Sequence, residues 1–324
     1  MKRLALALAL AAGGCGPARF GVPKAPKPQP APRDMPEIPR GFAEAAIAHR
    51  RTDKLTIRVY NTGSVLMRGV NVSSIKSWSA KTWLDVPAFL IKHPRQGYIL
   101  FDTGIGPVSG LKSDCLGAPV TVRPGHDILG ELRADGVDPA QVKYVILSHL
   151  HREHAGGVKG FPAASVIVDE REWNRRLQAQ TEKPAADAID VNGLEGAVKI
   201  KKIDLSKEKP YGAFEHGLDF FGDGSVVLVD LSGHSVGSLG AWVNLDSGPV
   251  LLAGDATWYL DNHQDLALPD KRSIFDLDKY WRRLYEMRAV QEAALQLVII
   301  PGHDLTVLGL QARPDVTPAA ALPR

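Results

Sequence analysis

The sequence is poor in cysteine: among its 324 residues only Cys15 and Cys115 carry a thiol. Two cysteines cannot build a cysteine-rich zinc site or a framework of several disulfides. The chain also lacks any run of about 18 uncharged apolar residues, the pattern of a membrane-spanning helix. A phosphate-binding Gly-x-x-x-x-Gly-Lys-Ser/Thr loop is absent as well. If the protein binds a transition metal, histidine and carboxylate must hold it, and ten histidines are available.

The first residues have the pattern of an export signal. Lys2 and Arg3 precede a short apolar run over residues 4–12, and small residues lead directly to Cys15. This order is typical of a secretory signal, and the position of the cysteine resembles a bacterial lipobox. We therefore expect residues 1–14 to be a lipoprotein signal peptide and Cys15 to carry lipid. The protein would then be anchored to the membrane of the bacterial cell envelope and face the periplasm or the exterior. A plain signal peptide with a chance cysteine is the alternative.

Residues 15–53 are expected to form a proline-rich tether. Eight prolines between positions 16 and 40 favour extended polyproline conformations and a semi-rigid spacer. The alternative is a disordered terminus without function. The signal peptide carries a formal charge of +2 and residues 15–40 carry +3, so the total of +3 leaves −2 for residues 41–324. Because nucleic-acid binding requires clustered cations on the domain itself, we expect no nucleic-acid partner.

The remaining residues, 54–324, alternate between short apolar runs and helical patterns, which predicts one α/β domain with helix-covered sheets. Strands are predicted at 55–60, 86–92, 98–101, 142–147, 225–231, 250–253 and 297–300, with 93–97 as the turn of a hairpin. Helices are predicted at 128–134 and from an N-cap at Ser273 to about Gln291. The segment between Glu172 and Phe214, rich in charge and poor in motifs, is predicted to be part of a pocket lid.

Four of the predicted strands end at a histidine or aspartate flanked by glycine or serine. Three of these residues are His234, Asp255 and His303. The fourth strand leads into residues 148–157, which place three histidines and one carboxylate within the six positions 149–154. Alternate residues of an extended segment point to the same side, and imidazole with carboxylate suits zinc, iron, nickel or manganese. A solvated histidine-rich turn is the alternative, but the position directly after a buried strand favours a metal site.

These motifs resemble those of the metallo-β-lactamase superfamily, and residues 86–104 and 221–224 most resemble its N-acyl homoserine lactone lactonases. The matching segments are residues 101–104, 149–154, 233–235, 254–256 and 301–304. The resemblance covers roughly residues 55–304. It implies a four-layer αβ/βα sandwich with a dinuclear metal site in a cleft along one edge.

The resemblance also implies a role for each matching residue. His149, His151 and His234 would hold one divalent metal, and Glu153, His154 and His303 would hold a second. Asp255 would bridge the two ions, which we expect to be zinc, and Asp102 would orient ligands through hydrogen bonds.

Two residues depart from the family pattern. Glu153 stands where the family has aspartate, and the extra methylene would move the carboxylate by more than about 1 Å. Glu153 could still bind by another rotamer, leave the second ion weakly held, or reposition a proton acceptor. Three residues after the bridging aspartate the lactonases carry a tyrosine, whereas this chain has Trp258 followed by Tyr259. Trp258 would either donate its indole N–H to a carbonyl oxygen or wall the pocket.

The resemblance implies a hydrolase in which a hydroxide bridging two metals opens a lactone or another ester, with Glu153, Asp255 and Tyr259 as catalytic residues. A small-molecule ester or lactone would be the substrate. The alternatives are a β-lactamase, a thioesterase, a phosphotriesterase, or a regulatory protein of the same fold that binds metal with little or no activity. Asp255 weighs against a β-lactamase, since true zinc β-lactamases generally lack that aspartate. The residues 232–238 are not interpreted as a nucleophile elbow, which lies between a strand and a helix.

Overall fold

Two β-sheets form the centre of the computed structural model, which describes residues 30–42, 55–106, 120–121, 125–182, 191, 193–310 and 316–318. The signal peptide, Cys15 and Cys115 lie outside these residues. The described strands are β1 (Thr56–Arg68), β2 (Lys81–His93), β3 (Gly97–Phe101), β4 (Val120–Thr121), β5 (Val142–Ile146), β6 (Ser165–Asp169), β7 (Lys199–Ile203), β8 (Gly217–Asp219), β9 (Val226–Asp230), β10 (Leu239–Leu245), β11 (Gly248–Leu252), β12 (Val298–Ile300) and β13 (Val316–Pro318).

The larger sheet has the order β13-β1-β2-β3-β5-β6-β7, with β4 paired to β1, and the smaller sheet has the order β12-β11-β10-β9-β8. The predicted hairpin is confirmed, since β2 and β3 pair antiparallel and Phe89 lies opposite Phe101. Strands β3, β5, β6 and β7 run parallel. Their carboxyl ends therefore meet at one edge of the larger sheet, which is where the histidine-rich segment begins.

The three longest helices that the structure describes cover the outer faces of the sheets. Within the described ranges the helices are α1 (Gly69–Val72), α2 (Ile128–Ala134), α3 (Arg152–Ala155), α4 (Glu170–Glu182), α5 (Leu260–Gln264), α6 (Leu277–Ala293) and α7 (Thr306–Leu310). The predicted helix at 128–134 is confirmed, with Asp127 accepting a hydrogen bond from the backbone N–H of Gly130. The predicted cap of the last long helix is wrong. Ser273 belongs to a short 3₁₀ turn, and the Asp276 carboxylate caps α6 by accepting from the Lys279 N–H at 3.0 Å.

The alternation of side chains along each strand sorts the core into layers. On β5, Ile146 points to the core between the sheets, while Val145 points to the layer containing α2 and α4. On β9, Leu228 belongs to the central core and Val229 to the layer containing α6. This arrangement of helix, sheet, sheet and helix confirms the predicted four-layer αβ/βα sandwich.

Several strands, among them β6 and β10, are not predicted from the sequence. Every residue of β10 is buried, so its sequence has no alternation of apolar and polar positions to reveal a strand. The described residues of the predicted lid form α4, the edge strand β7 and a 3₁₀ turn at Leu205–Lys207. Trp173 and Val191 within this segment belong to the buried layer on the outer face of the larger sheet.

Residues 30–42, in the middle of the predicted tether, pack against the domain. The Phe42 ring lies 5.3 Å from the ring of Tyr211 and 5.5 Å from that of Trp242, measured between centroids. The Asp34 carboxylate accepts a hydrogen bond from Arg282 at 2.9 Å. The boundaries of the signal peptide, tether and domain stay predictions. Among the residues that the structure describes, no helix is both long and apolar enough to cross a membrane.

Candidate metal centre

The seven predicted metal ligands come together at the edge where the two sheets meet. Four elements supply them: the loop after β5 with the single-turn helix α3, the loop after β9, the 3₁₀ turn Gly254–Ala256 after β11, and the loop after β12. The ligand atoms fall into two groups that share Asp255, and within each group they lie within 4.8 Å of one another. We call them the first group (His149, His151 and His234) and the second group (Glu153, His154 and His303).

The Asp255 carboxylate lies between the groups and offers one oxygen to each. Its Oδ2 is 3.2 Å from Nε2 of His234 and 3.9 Å from Nε2 of His149. Its Oδ1 is 3.1 Å from Nε2 of His154 and 3.2 Å from Nε2 of His303. Gly302 lies beside this carboxylate, and a Cβ added to Gly302 would lie 2.6 Å from Oδ1 of Asp255. The glycine therefore permits the close approach of two loops that the site requires.

Hydrogen bonds fix which nitrogen of three histidines faces the centre. The Nδ1 atoms of His149, His154 and His303 lie 3.1, 2.9 and 2.7 Å from Ser148 Oγ, Asp102 Oδ2 and the Asp85 carbonyl oxygen, respectively. A histidine that donates from Nδ1 presents the lone pair of Nε2. The three Nε2 atoms are thus available to a metal, and this pairing of a ligand with an outer acceptor is usual at metal centres.

Asp102 organises the start of the histidine-rich loop. Its carboxylate accepts from the backbone N–H of Ser148 at 2.7 Å, from the Ser148 hydroxyl at 2.8 Å and from His154. Its φ of 58° lies in the left-handed region, which a non-glycine residue rarely adopts. Strained backbone of this kind concentrates at functional sites, and here it aims the carboxylate at the ligand loop.

The chemistry of the cluster fits divalent metal ions. Asp255 is 1% exposed, and neither of its oxygens has a hydrogen-bond partner within the described residues. The same holds for Nε2 of His149 and Nε2 of His154. Buried ligand atoms without a hydrogen-bond partner are unfavourable, and imidazole and carboxylate are the usual ligands of zinc. The residues present are therefore suited to hold metal.

Charges around Asp255 also favour its anionic form. Burial alone would raise the pKa of this carboxyl, but the neighbouring His303, His154 and His234 outweigh burial and hold it well below its usual value. Burial raises the pKa of Glu153, which is half-buried on α3. The centre thus combines a firmly ionised carboxylate with a more basic one.

Of the two aromatic residues at positions 258 and 259, the tryptophan lies against the cluster. The Trp258 ring centroid is 5.8 Å from that of His234 and 5.8 Å from that of His303. Its indole Nε1 is buried and has no hydrogen-bond partner among the described residues. The predicted catalytic residue Tyr259 instead donates its hydroxyl to the Trp83 carbonyl oxygen. The structure thus brings Trp258, rather than the Tyr259 hydroxyl, to the rings of the metal centre.

Two residues that no sequence motif singles out support Trp258, Tyr259 and the ligand loops. Asn262 is buried and accepts from the backbone N–H groups of Trp258 and Tyr259 at 2.8 and 2.9 Å. Glu172 bonds to two ligand loops. No motif marks these residues, although Glu172 follows a buried strand closely. The Ser235 hydroxyl, in a segment with the pattern Gly-x-Ser-x-Gly, lies 2.7 Å from Ser238 Oγ between two strands, which is not the setting of a nucleophile elbow.

Comparisons with known proteins agree with this fold and site. The model of the metallo-beta-lactamase superfamily matches residues 82–303. The chain is 31% identical over 227 residues to the N-acyl homoserine lactonase AttM of Azorhizobium caulinodans, covering 66% of this chain and 81% of that protein. It is 30% identical over 263 residues to the AttM lactonase of Agrobacterium fabrum, covering 76% of this chain and 93% of that protein.

Solved structures share the fold. An N-acyl homoserine lactone hydrolase with N-hexanoyl-L-homoserine at its catalytic metal centre superposes with a TM-score of 0.64 at 22% identity, over 80% of this chain and 96% of that one. The dizinc quorum-quenching lactonase AidC gives a TM-score of 0.54 at 17% identity, over 77% of this chain and 87% of that one. With the family model covering most of the described domain, this chain belongs to the metallo-β-lactamase superfamily and is a hydrolase of that superfamily.

Proposed function

We propose that the protein is a lactonase that opens the ring of N-acyl homoserine lactones or closely related esters. The observation that carries the proposal is the Asp255 carboxylate, which offers one oxygen to each of two histidine groups. This shared carboxylate is a feature of lactonases, thioesterases and organophosphate hydrolases in the superfamily, and true zinc β-lactamases generally lack it. The similarity to the AttM lactonases supports the same substrate class.

We propose zinc as the metal, held as one ion by the first group and one by the second, with Asp255 between them. Divalent ions bound in this way would polarise the ester carbonyl and lower the pKa of a water molecule. Asp255 would keep the two groups at a fixed separation, since it is buried and firmly ionised. Asp102 would hold His154 in the tautomer that presents Nε2 to the centre.

Glu153 is the residue proposed to handle the proton. Its carboxyl belongs to the second group. A carboxylate in this position would accept a proton and, once protonated, donate it to the leaving alkoxide. Ring opening of a lactone produces such an alkoxide, which must be protonated to give the hydroxy acid.

Trp258 is proposed to contact the substrate in the place of the family's tyrosine. Its unpartnered indole N–H adjoins rings of both groups, so it is available to donate to the substrate carbonyl oxygen. Walling the pocket without a hydrogen bond is the alternative role. The Tyr259 hydroxyl already donates to the Trp83 carbonyl oxygen, so Trp258 rather than Tyr259 is proposed for this contact.

Mass analysis of the products tests the proposed substrate class. Zinc-loaded protein is incubated with N-hexanoyl homoserine lactone, and the expected product is N-hexanoyl homoserine, which retains the amide and gains one water. Free homoserine lactone would instead indicate cleavage of the amide. Metal-stripped protein and the Asp255→Asn variant serve as controls and should be inactive.

A panel of other substrates decides between the proposal and its alternatives. Aryl esters, thioesters, β-lactams and phosphotriesters are assayed under the same conditions. A clear preference for one of these over lactones would assign the protein to another hydrolase class. If zinc-loaded protein is inert toward the whole panel, the result would favour a regulatory protein that binds metal. The presence of Glu153 where the family has aspartate is the reason for considering this alternative.

The lipid anchor is proposed on the N-terminal sequence alone. Cys15 follows an apolar run and small residues, so we propose that lipid on this cysteine holds the domain in the cell envelope. Expression of the full chain with a labelled fatty acid should label the protein and place it in the membrane fraction. A Cys15→Ser variant that stays equally labelled and membrane-bound would overturn this proposal.

A further inference from the structure

Glu172 lies outside the ligand cluster yet connects the two loops that carry the first group. It is in the first turn of α4 and is 3% exposed. Its Oε1 accepts a hydrogen bond from the Leu150 backbone N–H and its Oε2 accepts one from the Gly237 N–H, both at 3.2 Å. Leu150 stands between the two histidines of one loop, and Gly237 follows His234 by three residues. One side chain therefore spans both loops.

Close packing at Gly237 presses the second loop onto the start of α4. A Cβ at position 237 would lie 2.7 Å from both the Cβ and the backbone nitrogen of Glu172, and 2.9 Å from Oδ1 of Asp169. These distances are shorter than real Cβ contacts, so a larger residue would push the loop away from the helix. The glycine is thus needed for the hydrogen bond to Glu172.

A neighbouring arginine ties the same helix start to the beginning of that loop. Arg171 donates to the Asp169 carboxylate at 2.9 Å and to Asp230 Oδ1 at 3.2 Å. Asp230 Oδ1 in turn accepts from the Ser232 backbone N–H at 3.0 Å. The loop that carries His234 is therefore held to the α4 start near each of its ends, at Ser232 and at Gly237.

We propose that Glu172 is a positioning residue that holds the loops of the first group at the separation required for metal binding. Hydrogen bonds to an ionised carboxylate are stronger than those between neutral groups, and here one is made to each loop. A glutamine at this position would offer one acceptor oxygen and turn an N–H toward the other backbone donor. Glu153 and His154 of the second group follow on the same loop, but His154 and His303 are held by acceptors of their own, Asp102 and the Asp85 carbonyl oxygen, so the effect should be confined to the first group.

The experiment measures zinc binding by the folded full chain, with Glu172→Gln as the variant and Glu170→Gln as the matched control. Glu170 lies in the same first turn of α4, so its loss tests any general effect of charge at the helix start. Competition with a chromophoric chelator gives the dissociation constants. Removal of an outer partner of a metal ligand typically weakens metal binding about 10- to 100-fold. We expect E172Q to weaken one zinc per chain by this factor and leave the other as in the parent, and E170Q to leave both unchanged.

Melting of the metal-free proteins separates positioning from general destabilisation. Positioning predicts that E172Q changes the affinity for one zinc by far more than it changes the melting temperature of the metal-free chain. Two results would overturn the proposal: parental affinity for both ions, or an equal loss at both sites together with a large fall in melting temperature. If E172Q does not fold, E172D replaces it. Its shorter carboxylate cannot span both loops, so parental zinc affinity in E172D would likewise refute the proposal.

Discussion

The first and second groups of the metal centre are held in different ways. The first group depends largely on loop backbones, since Glu172 bonds to Leu150 and Gly237 rather than to a ligand side chain, although the Ser148 hydroxyl also bonds to His149. In the second group, acceptors bond directly to the ligands: Asp102 to His154, and the Asp85 carbonyl to His303. A site held by its backbone is sensitive to loop spacing, whereas a site held through its side chains is sensitive to the loss of single acceptors. The two sites should therefore respond to different substitutions.

Asp255 belongs to both groups, so its replacement should affect the two metal sites alike. Asp255→Asn removes the charge that the two groups share, so both ions should bind poorly. Bound metal contributes several kcal/mol to such reactions, and each 1.36 kcal/mol is tenfold in rate. We expect kcat/KM for the lactone to fall by at least about 1,000-fold and metal content to fall at both sites. Retention of one tightly bound ion by this variant would show that the groups are independent.

Glu153 belongs to the second group alone, so its replacement should affect one metal site and not the other. Its carboxylate reaches the group from α3 with the length of a glutamate, so Glu153→Asp should withdraw it by about the length of one methylene. We expect one zinc per chain to bind about tenfold more weakly, by analogy with the loss of an outer partner, and lactone turnover to fall with it. A chelator competition checks the affinity. A gain in metal occupancy and turnover would show that glutamate impairs the site, which favours the regulatory alternative.

Trp258 contacts both groups, and its variant separates the two roles left open for it. Trp258→Phe retains an aromatic wall beside His234 and His303 but removes the indole N–H. If that N–H donates to the substrate carbonyl, kcat/KM should fall by about 100-fold, as for other single donors of this kind, with zinc affinity unchanged. An unchanged kcat/KM would mean that the tryptophan only walls the pocket.

His263 lies outside both groups, and its predicted effect is on stability rather than on metal binding or catalysis. It is buried on α5, and its Nδ1 donates to the Thr257 hydroxyl oxygen, leaving Nε2 without a partner in the described part of the chain. Burial, reinforced by the positive charge of Arg288, lowers the pKa of His263 to about 4. The unfolded chain therefore takes up this proton near pH 6.5, and the folded chain only near pH 4.

The consequence is a loss of stability as the pH falls from about 6.5 to about 4, with no effect above that range and no further loss below it. One proton corresponds to about 1.4 kcal/mol per pH unit. We expect His263→Gln to make the free energy of unfolding less dependent on pH in this window, by up to that slope. Denaturant unfolding at several pH values measures it, and identical slopes in the parent and the variant would contradict the assigned state of His263.

Much of the domain could be predicted because its signals are local. The strand at 142–147 and the hairpin over 86–101 show in the sequence as apolar runs bounded by turn residues. The metal ligands were recognisable because the superfamily motifs keep them directly after strands. The seven predicted ligands indeed meet in one cluster. Their roles in catalysis stay predictions.

What the sequence could not predict depends on contacts between distant segments. Glu172 lies 65 positions from Gly237, and nothing near Glu172 in the sequence reveals that contact. The choice between Trp258 and Tyr259 depended on the turn held by Asn262, which orients two adjacent side chains differently. The helix begins after Asp276 rather than after Ser273, because the Asp276 carboxylate caps it by accepting from the Lys279 N–H, whereas Ser273 ends a 3₁₀ turn.

We propose that Asp255 serves two metal sites in one chain, and the zinc stoichiometry of the protein tests this proposal most directly. The full-length protein is stripped of metal, saturated with zinc, freed of excess zinc by gel filtration and analysed for zinc and protein content. We predict two zinc ions per chain, falling to less than one in the Asp255→Asn variant. One zinc or none in the parent chain would contradict the account.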